Sequence, residues 1–582
     1  MVKFRSLPGM TAVPSRSLGL GWALWSVAIA VVWVLPTRTP PWATFYAEAL
    51  MAACVLVVGV AILFSGQDAF QRRRFAADWA SLALLALATV PLFHGALGLL
   101  VFPGESLLQC LYLLAIAMTH FIARSAWEHV NADFIDCLWA GLVIAAVISA
   151  GLAIYQWLRV DRLGWLVSAV RIPGRPDANV GQPNNLATLL CWGLVGFWWA
   201  FSRRKLGGAV AVFGAAFLLV GVALTQSRTA WLMLAVFPLV LFMGKKALGG
   251  PSRWAAVIGL ALWFIVVKLA LPAAAEWLDV KGTRDLSEQL SAGTRPMTWQ
   301  LALDAIAARP WAGFGWNQFL IARVEFINQY PQHPEIVSYA HNFVLDLLVW
   351  SGVVVGGLAV VGLGWWLWSQ LRGVKTVEQW LLLVGLGVLL VHAMLELPHA
   401  YAYFLLPAAA MAGTLSALRP SSAAFSIPRW CVGLVLVVLA GAWVALISDY
   451  REIESRDQAR RIFEAGIASR GGSVVEEPLL ILRFVSEINA QLRQRPRKDM
   501  RPEELARWRT TLMRYPVASS LVRFAQASVL NQQPEGARWA LVAVCGLYER
   551  QLCEAVGREW ADFSRDNPEA SLIAVPTSPR SH

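Results

Sequence analysis

The polar residues of this 582-residue chain that could do chemistry fall in six short stretches. His341 and Asn342 end a long polar stretch and lead directly into the apolar run Phe343 to Trp350. An imidazole at such a boundary is suited to take a proton near neutral pH, or to serve as a hydrogen-bonded structural residue. Arg228 sits in Thr225-Gln226-Ser227-Arg228-Thr229, a polar break between two apolar runs, and Arg295 follows Gly293-Thr294. Arg175 belongs to a third basic segment, with Arg159, Arg162 and Arg171. Guanidinium forks grip phosphate oxygens bidentately, although each of these arginines could instead be an ordinary surface or snorkelling residue. Gln182, Asn184 and Asn185 flank Pro183 at the start of an apolar run. They suit either a capped helix start or hydrogen bonds to a sugar or phosphate there. The sixth group is His392, Glu396, Pro398, His399, Tyr401 and Tyr403. His392 and Glu396 stand one helical turn apart and are expected to face one cavity or to pair with each other.

The elements that carry these residues are apolar. Hydrophobic residues make up 57% of the chain and charged residues 15%, with a mean hydropathy of +0.55, so the fold expected is an all-α polytopic membrane protein. Thirteen spans are predicted: 19–36, 43–64, 78–101, 104–122, 134–158, 183–201, 208–224, 230–243, 252–272, 341–370, 378–397, 399–418 and 428–447. The first is read as a retained helix, not a cleaved signal. The net charge of +12 does not imply nucleic acid, because the basic residues stand in short clusters between apolar runs. Five of the seven cysteines lie in apolar segments. Cys545 and Cys553 would sit about 12 Å apart on one continuous helix, beyond the roughly 7 Å a disulfide tolerates, so they are expected to be unbridged. Glycine-rich phosphate loops, HExxH and GxSxG motifs are absent from the sequence, which argues against nucleotide-driven or zinc chemistry, and neither cofactor nor metal is expected.

Charge then sets the topology. With the N-terminus in the cytoplasm, Arg72 to Arg74, Arg124, Arg203 to Lys205, Lys245, Lys246, Arg372, Lys375 and Arg419 all fall inside, as the positive-inside rule requires. Two outer segments break that bias, the one holding Arg175 and the one holding Arg228, and arginine kept there suggests an anionic ligand. This divides the chain into a transmembrane domain, residues 1–447 with an outer loop at 273–340, and a small helical outer domain, residues 448–582, with a frayed tail from Asn567. His333 in the loop carries less weight than His341.

In their order along the chain, several motifs resemble the O-antigen ligase/polymerase superfamily. They are Gly181-Gln182-Pro183-Asn184-Asn185-Leu186-Ala187, Ser227-Arg228-Thr229-Ala230-Trp231, Pro310-Trp311-Ala312-Gly313-Phe314-Gly315-Trp316, His341-Asn342-Phe343-Val344-Leu345-Asp346 and Glu396-Leu397-Pro398-His399-Ala400-Tyr401-Ala402-Tyr403. They look most like the bacterial O-linked protein oligosaccharyltransferases. The resemblance implies a GT-C-like fold of about 12–13 transmembrane helices in the bacterial inner membrane, with the active site and C-terminal domain periplasmic. It also implies metal-independent transfer of a preassembled glycan from undecaprenyl pyrophosphate to Ser or Thr of periplasmic proteins. His341 would be catalytic, Arg228, Arg295 and Arg175 would hold the pyrophosphate, and Gln182, Asn184, Asn185, Tyr403 and His399 would position substrate. A lipid A-core acceptor, a second lipid-linked glycan as acceptor, or transport of lipid-linked sugars are the alternatives. Transport fits least, because no paired inverted repeats are seen.

Overall fold

The computed structural model describes residues 16–36, 40–64, 74–130, 133–170, 172, 174–243, 251–280, 293–330, 336–419, 425–464 and 478–576. Arg171, His333, Lys245 and Lys246 lie outside the described residues. The protein is an all-α polytopic membrane protein, and each of the thirteen apolar segments forms a helix. Those helices are α1 (Arg16–Val34), α2 (Phe45–Phe64), α3 (Trp79–Ala96), α4 (Glu105–Val130), α5 (Asp133–Trp157), α6 (Pro183–Ser202), α7 (Gly208–Leu224), α8 (Arg228–Met243), α9 (Pro251–Trp277), α12 (Phe343–Arg372), α13 (Val377–Ala393), α14 (Ala402–Ala417) and α15 (Arg429–Glu464). Between α9 and α12 the described residues include two short helices, α10 (Arg295–Ala308) and α11 (Phe319–Glu325). Eight of the thirteen are long and apolar enough to cross a membrane, and the other five are shorter apolar helices. One small antiparallel pair, β1 (Arg74–Ala77) with β2 (Phe425–Pro428), joins the entries to α3 and α15.

Large aromatic and small residues build the bundle core together. Trp33, Trp139, Trp192 and Trp199 are each about 1% exposed or less. The indole of Trp192 donates to the Gly385 carbonyl at 2.8 Å and that of Trp25 to the Cys54 carbonyl at 2.9 Å, so these rings bring their own hydrogen bond into the core. Small residues let backbones approach, as membrane helices require: at Gly413 in α14 an added Cβ would collide with the His120 carbonyl of α4.

The loop between α9 and α12 is not draped over the bundle but bonded into it. Gly352 interrupts α12 with φ 70° and ψ 177°. The carbonyls that the break exposes are taken by the loop: Phe314 N–H donates to Val349 O at 2.7 Å and Gly315 N–H to Trp350 O at 3.0 Å. In return Val353 N–H donates to the Pro310 carbonyl at 2.7 Å. Gly313 and Gly315 also have positive φ, 68° and 92°, so three glycines make a backbone-to-backbone joint that side chains would block. Gln318, fully buried, completes the anchorage: its amide donates to Leu99 O and Phe314 O and accepts from Val101 N–H. The result fixes the head of α12, where His341 stands.

Helix α15 runs without a break past residue 447 into the C-terminal region. That region adds α16 (Arg483–Leu492), α17 (Pro502–Arg514), α18 (Ala518–Leu530), α19 (Pro534–Leu547) and α20 (Arg550–Asp566). Val324 and Ile327 of the loop join its core, and the buried Arg323 donates to Gly546 O at 3.1 Å. Arg514 and Tyr515 both reach Glu105 at the start of α4, at 3.2 and 2.6 Å. The described part of the tail is more regular than expected, since Pro568–Leu572 is a 3-10 turn that buries Ala570, and residues 577–582 lie outside the described residues. The expectation for the cysteines is overturned as well. Cys545 and Cys553 form a disulfide with Cα atoms 4.8 Å apart, because α19 ends at Leu547 and the chain turns at Tyr548 and Glu549 before α20.

The joint predicts a contrast inside a single helix. Gly352→Ala forces a Cβ against the Trp311 carbonyl at a left-handed φ and should cost about 1–3 kcal/mol, read as a lowered thermal midpoint in detergent. Gly357→Ala, where an added Cβ meets nothing within 4 Å, should be neutral or slightly stabilising. Equal behaviour of the two would refute the joint.

Candidate active site

At one end of the bundle the connections before α6, α8 and α10 converge on the head of α12. The turn at Thr225 to Ser227 is almost wholly buried, so Arg228 is held inside the protein and not at a lipid-facing surface. Two bonds staple this turn to the preceding loop: Arg175 Nε donates to Thr225 O at 3.1 Å, and the Gln226 amide donates to Gly174 O at 2.8 Å. Thr294 and Pro296 start α10 so that Arg295 occupies its first turn. Together Arg175, Asn184, Gln226, Arg228, Thr229, Thr294, Arg295, His341 and Glu396 line a cavity of about 210 Å³. Three guanidinium groups around so small a space have the chemistry to hold a compact, multiply charged oxyanion.

One carboxylate organises the cavity wall. Glu396 accepts from Arg295 Nη2 and, at 2.9 Å, from the Asn184 amide on Oε1, while Oε2 meets His341 Nδ1 at 3.0 Å. Burial alone would raise the carboxyl's pKa, but the hydrogen bond from His341 and the positive charges of His341 and Arg295 outweigh it and hold the group down to about 2. In the neutral ring, a carboxylate at Nδ1 favours the tautomer with its proton there and leaves the lone pair on Nε2. His341 itself has φ 54°, a left-handed conformation uncommon for a non-glycine residue. Next to it Asn342 caps α12, its side chain accepting from Val344 and Leu345 N–H at 3.0 and 3.2 Å.

A second cavity, of about 500 Å³, adjoins the first. Gln182 and Asn185 line it where Asn184 lines the cationic one, and Leu397 and His399 line it where Glu396 lines the other. Tyr401 and Tyr403 stack with centroids 5.3 Å apart, and the Asn185 amide donates to Tyr403 Oη at 3.2 Å. His399 Nε2 lies 2.9 Å from Asp346 Oδ2, and the other oxygen of this fully buried carboxylate accepts from Ala340 N–H at 2.7 Å.

All nine residues singled out from the sequence thus come together, but in two groups. Arg175, Asn184, Arg228, Arg295 and His341 share the cationic cavity, whereas Gln182, Asn185, His399 and Tyr403 share the aromatic one. The expected pairing of His392 with Glu396 does not form. Helix α13 stops at Ala393, so Glu396 lies beyond the helical register, and His392 turns inward to Thr188 Oγ1 at 2.7 Å. The parts that sequence reasoning missed are Glu396 as the partner of His341 and Asp346 as the partner of His399. Both carboxylates stand in the stretches already singled out, within five residues of a histidine, which was the available signal.

Residues 213–360 match the O-antigen ligase family, and residues 380–559 match the family described as virulence factor membrane-bound polymerase, C-terminal. The chain is 31% identical over 441 residues to a general O-oligosaccharyltransferase of Acinetobacter baylyi, covering 72% of this chain and 74% of that protein. It is 26% identical over 319 residues to a ComP-specific O-oligosaccharyltransferase of the same organism, covering 54% of this chain and 58% of the relative.

The depressed Glu396 carboxyl sets a pH signature. Its folded value of about 2, against an ordinary 4.5, is worth about 3 kcal/mol of stability. That contribution is complete above about pH 4.5 and lost as pH falls toward the folded value. Glu396→Gln should therefore unfold at a lower temperature than wild type at pH 7, with the gap narrowing from pH 5 to pH 3. A gap that stays constant with pH would refute the ionised pairing.

Proposed function

Because the chain belongs to the O-antigen ligase family and is a glycosyltransferase, we propose that it moves a preassembled glycan from undecaprenyl pyrophosphate to Ser or Thr hydroxyls of periplasmic proteins. The observation that carries this reading is the cationic cavity with the His341–Glu396 pair in its wall. The names of both relatives, oligosaccharyltransferases, favour a protein acceptor over lipid A-core.

In this reading the donor's pyrophosphate lies among Arg175, Arg228 and Arg295. The acceptor hydroxyl approaches His341, whose Nε2 takes its proton. Its oxygen forms a bond to the anomeric carbon as the bond from that carbon to the phosphate oxygen breaks, through an oxocarbenium-like state. Charge builds on the departing pyrophosphate, and the arginines stabilise it as it develops. Glu396 keeps the imidazole oriented and balances the positive charge the ring gains. Products are the glycosylated protein and undecaprenyl pyrophosphate, with the proton passing from His341 to solvent. A single displacement inverts the anomeric centre. Asn184 belongs to the positioning of the phosphate end, and Gln182, Asn185, His399 and Tyr403 to that of the sugar end. The transmembrane domain, residues 1–447, sits in the inner membrane with its N-terminus cytoplasmic. The loop at 273–340 and the C-terminal domain from 448 face the periplasm, beside the acceptor.

The test uses purified protein in detergent with an undecaprenyl-pyrophosphate glycan and two acceptors, a Ser/Thr-rich periplasmic protein and lipid A-core. Glycan should appear on the protein, and His341→Ala should slow transfer by about 10² or more. Arg228→Ala should weaken both donor binding and turnover. Transfer only to lipid A-core would move the enzyme to the lipopolysaccharide branch, and transfer to neither would refute the reading.

A further inference from the structure

The basic segment between α5 and α6 is only partly used by the reaction proposed above, which calls on Arg175 and leaves Arg159 and Arg162 without a role. Every residue from 158 to 166 is exposed. Five of the nine are large and apolar: Leu158 at 42%, Val160 at 37%, Leu163 at 41%, Trp165 at 82% and Leu166 at 47%. An uncovered apolar cluster of this kind marks contact with lipid or with another protein.

The exposure is built in and is not slack chain. Tyr155, in the last turn of α5, accepts at its hydroxyl from the backbone N–H of Arg162 and from that of Leu163, the latter at 2.7 Å. Asn179, 1% exposed, donates to Leu166 O at 2.9 Å and to Val34 O at 2.7 Å, and accepts from Ser168 N–H at 2.9 Å. The Gln156 amide donates to Ser168 O at 2.9 Å. Gly164, with φ 51°, makes the bend, and the 3-10 turn Gly164–Leu166 carries Trp165 at its middle. Side-chain hydrogen bonds thus hold the backbone while the apolar side chains stay uncovered.

Placement decides what covers them. The segment joins the ends of two membrane helices. On α5, Ile144 and Ile148 are exposed, and with Leu158 they recur at helical spacing on one face. No charged residue lies between 137 and 158, so the apolar surface that faces lipid along α5 passes onto the segment without a polar break. Tryptophan and arginine at the end of such a helix are the signature of the membrane–water interface, where the ring sits at headgroup level and the long cation reaches phosphate. Asp161 is the one acidic residue of the nine, and the two arginines outnumber it.

We propose that residues 158–166 are an interfacial tongue, with Leu163, Trp165 and Leu166 sunk into the bilayer surface and Arg159 and Arg162 gripping the headgroup phosphates of anionic phospholipids. Nine residues beyond Leu166 the same connection places Arg175 in the cationic cavity, so the tongue sets the height of that cavity against the headgroup layer.

The test labels Trp165→Cys with an environment-sensitive fluorophore on full-length protein in nanodiscs. Arg538→Cys, on the exposed surface of the C-terminal domain, is the aqueous control, and wild type treated alike gives the background of its own cysteines. Brominated phospholipids should quench the label at 165 and leave that at 538 bright. In mixed phosphatidylcholine and phosphatidylglycerol, brominating one lipid at a time reads the preference around the label. Phosphatidylglycerol should be preferred, and adding Arg159→Gln or Arg162→Gln, with the thermal midpoint unchanged, should lower the preference about fivefold for each arginine removed. A label at 165 as bright as the control overturns the tongue, and its shielding by an acceptor protein instead would make the segment an acceptor-docking face. Quenching with a headgroup preference that both arginine variants leave unchanged overturns the lipid contact assigned to them. Neither donor nor turnover enters the measurement, so it succeeds or fails apart from the reaction proposed above.

Discussion

The carboxylate of Glu396 is the point through which the site is assembled. Four segments far apart in the chain meet on two oxygens: the loop that holds Glu396 itself, the first turn of α10 through Arg295, the start of α6 through Asn184, and the head of α12 through His341. A buried carboxylate is tolerable only when opposite charge and donors surround it, so the desolvation of this one group demands the others. The same demand keeps Arg295, otherwise a third like charge beside Arg175 and Arg228, in a partly neutralised setting. The cavity is thus strongly cationic without being overloaded.

The division of the polar residues into two cavities follows from the pitch of α6. Asn184 and Asn185 are consecutive, and about 100° of helical rotation separates their side chains. One turns toward Glu396 and the other toward Tyr403. On the facing segment Glu396 and His399 are parted by Leu397 and Pro398 in the same way. Two neighbouring chambers of opposite chemistry therefore share two short stretches of chain, each read on both of its sides.

Much of this was legible in the sequence. The thirteen apolar runs report helices directly, because continuous apolar stretches in lipid have little other choice. Arg175 and Arg228 stood out because they combine an anion-binding side chain with a place where charge bias does not want it, His341 because it stands where a long polar stretch meets an apolar run, and Arg295 because it follows Gly293-Thr294 in that stretch. What the sequence could not give is which polar groups meet. Glu396 was read against His392 because a helix was assumed to continue through residue 396, whereas α13 stops at Ala393. Likewise the one glycine between Cys545 and Cys553, Gly546, lies inside α19 and not in the turn at Tyr548 and Glu549. That turn is held from outside, by Tyr548, whose hydroxyl donates to Pro516 O at 2.6 Å and accepts from Ala518 N–H at 3.0 Å. Local pattern predicts local structure, and these two features are tertiary.

The interruption of α12 at Gly352 has a consequence for how the site is held. Open backbone inside a packed protein is tolerated only where other groups cover it, and here the cover is the peptide chain of residues 310–315. Undocking that chain would leave buried carbonyl and amide groups without partners, at about 1–3 kcal/mol for each. The head of α12 is therefore latched by main chain and not by side chains, so the setting of His341 tolerates exchange of the side chains around the joint but not of the glycines within it.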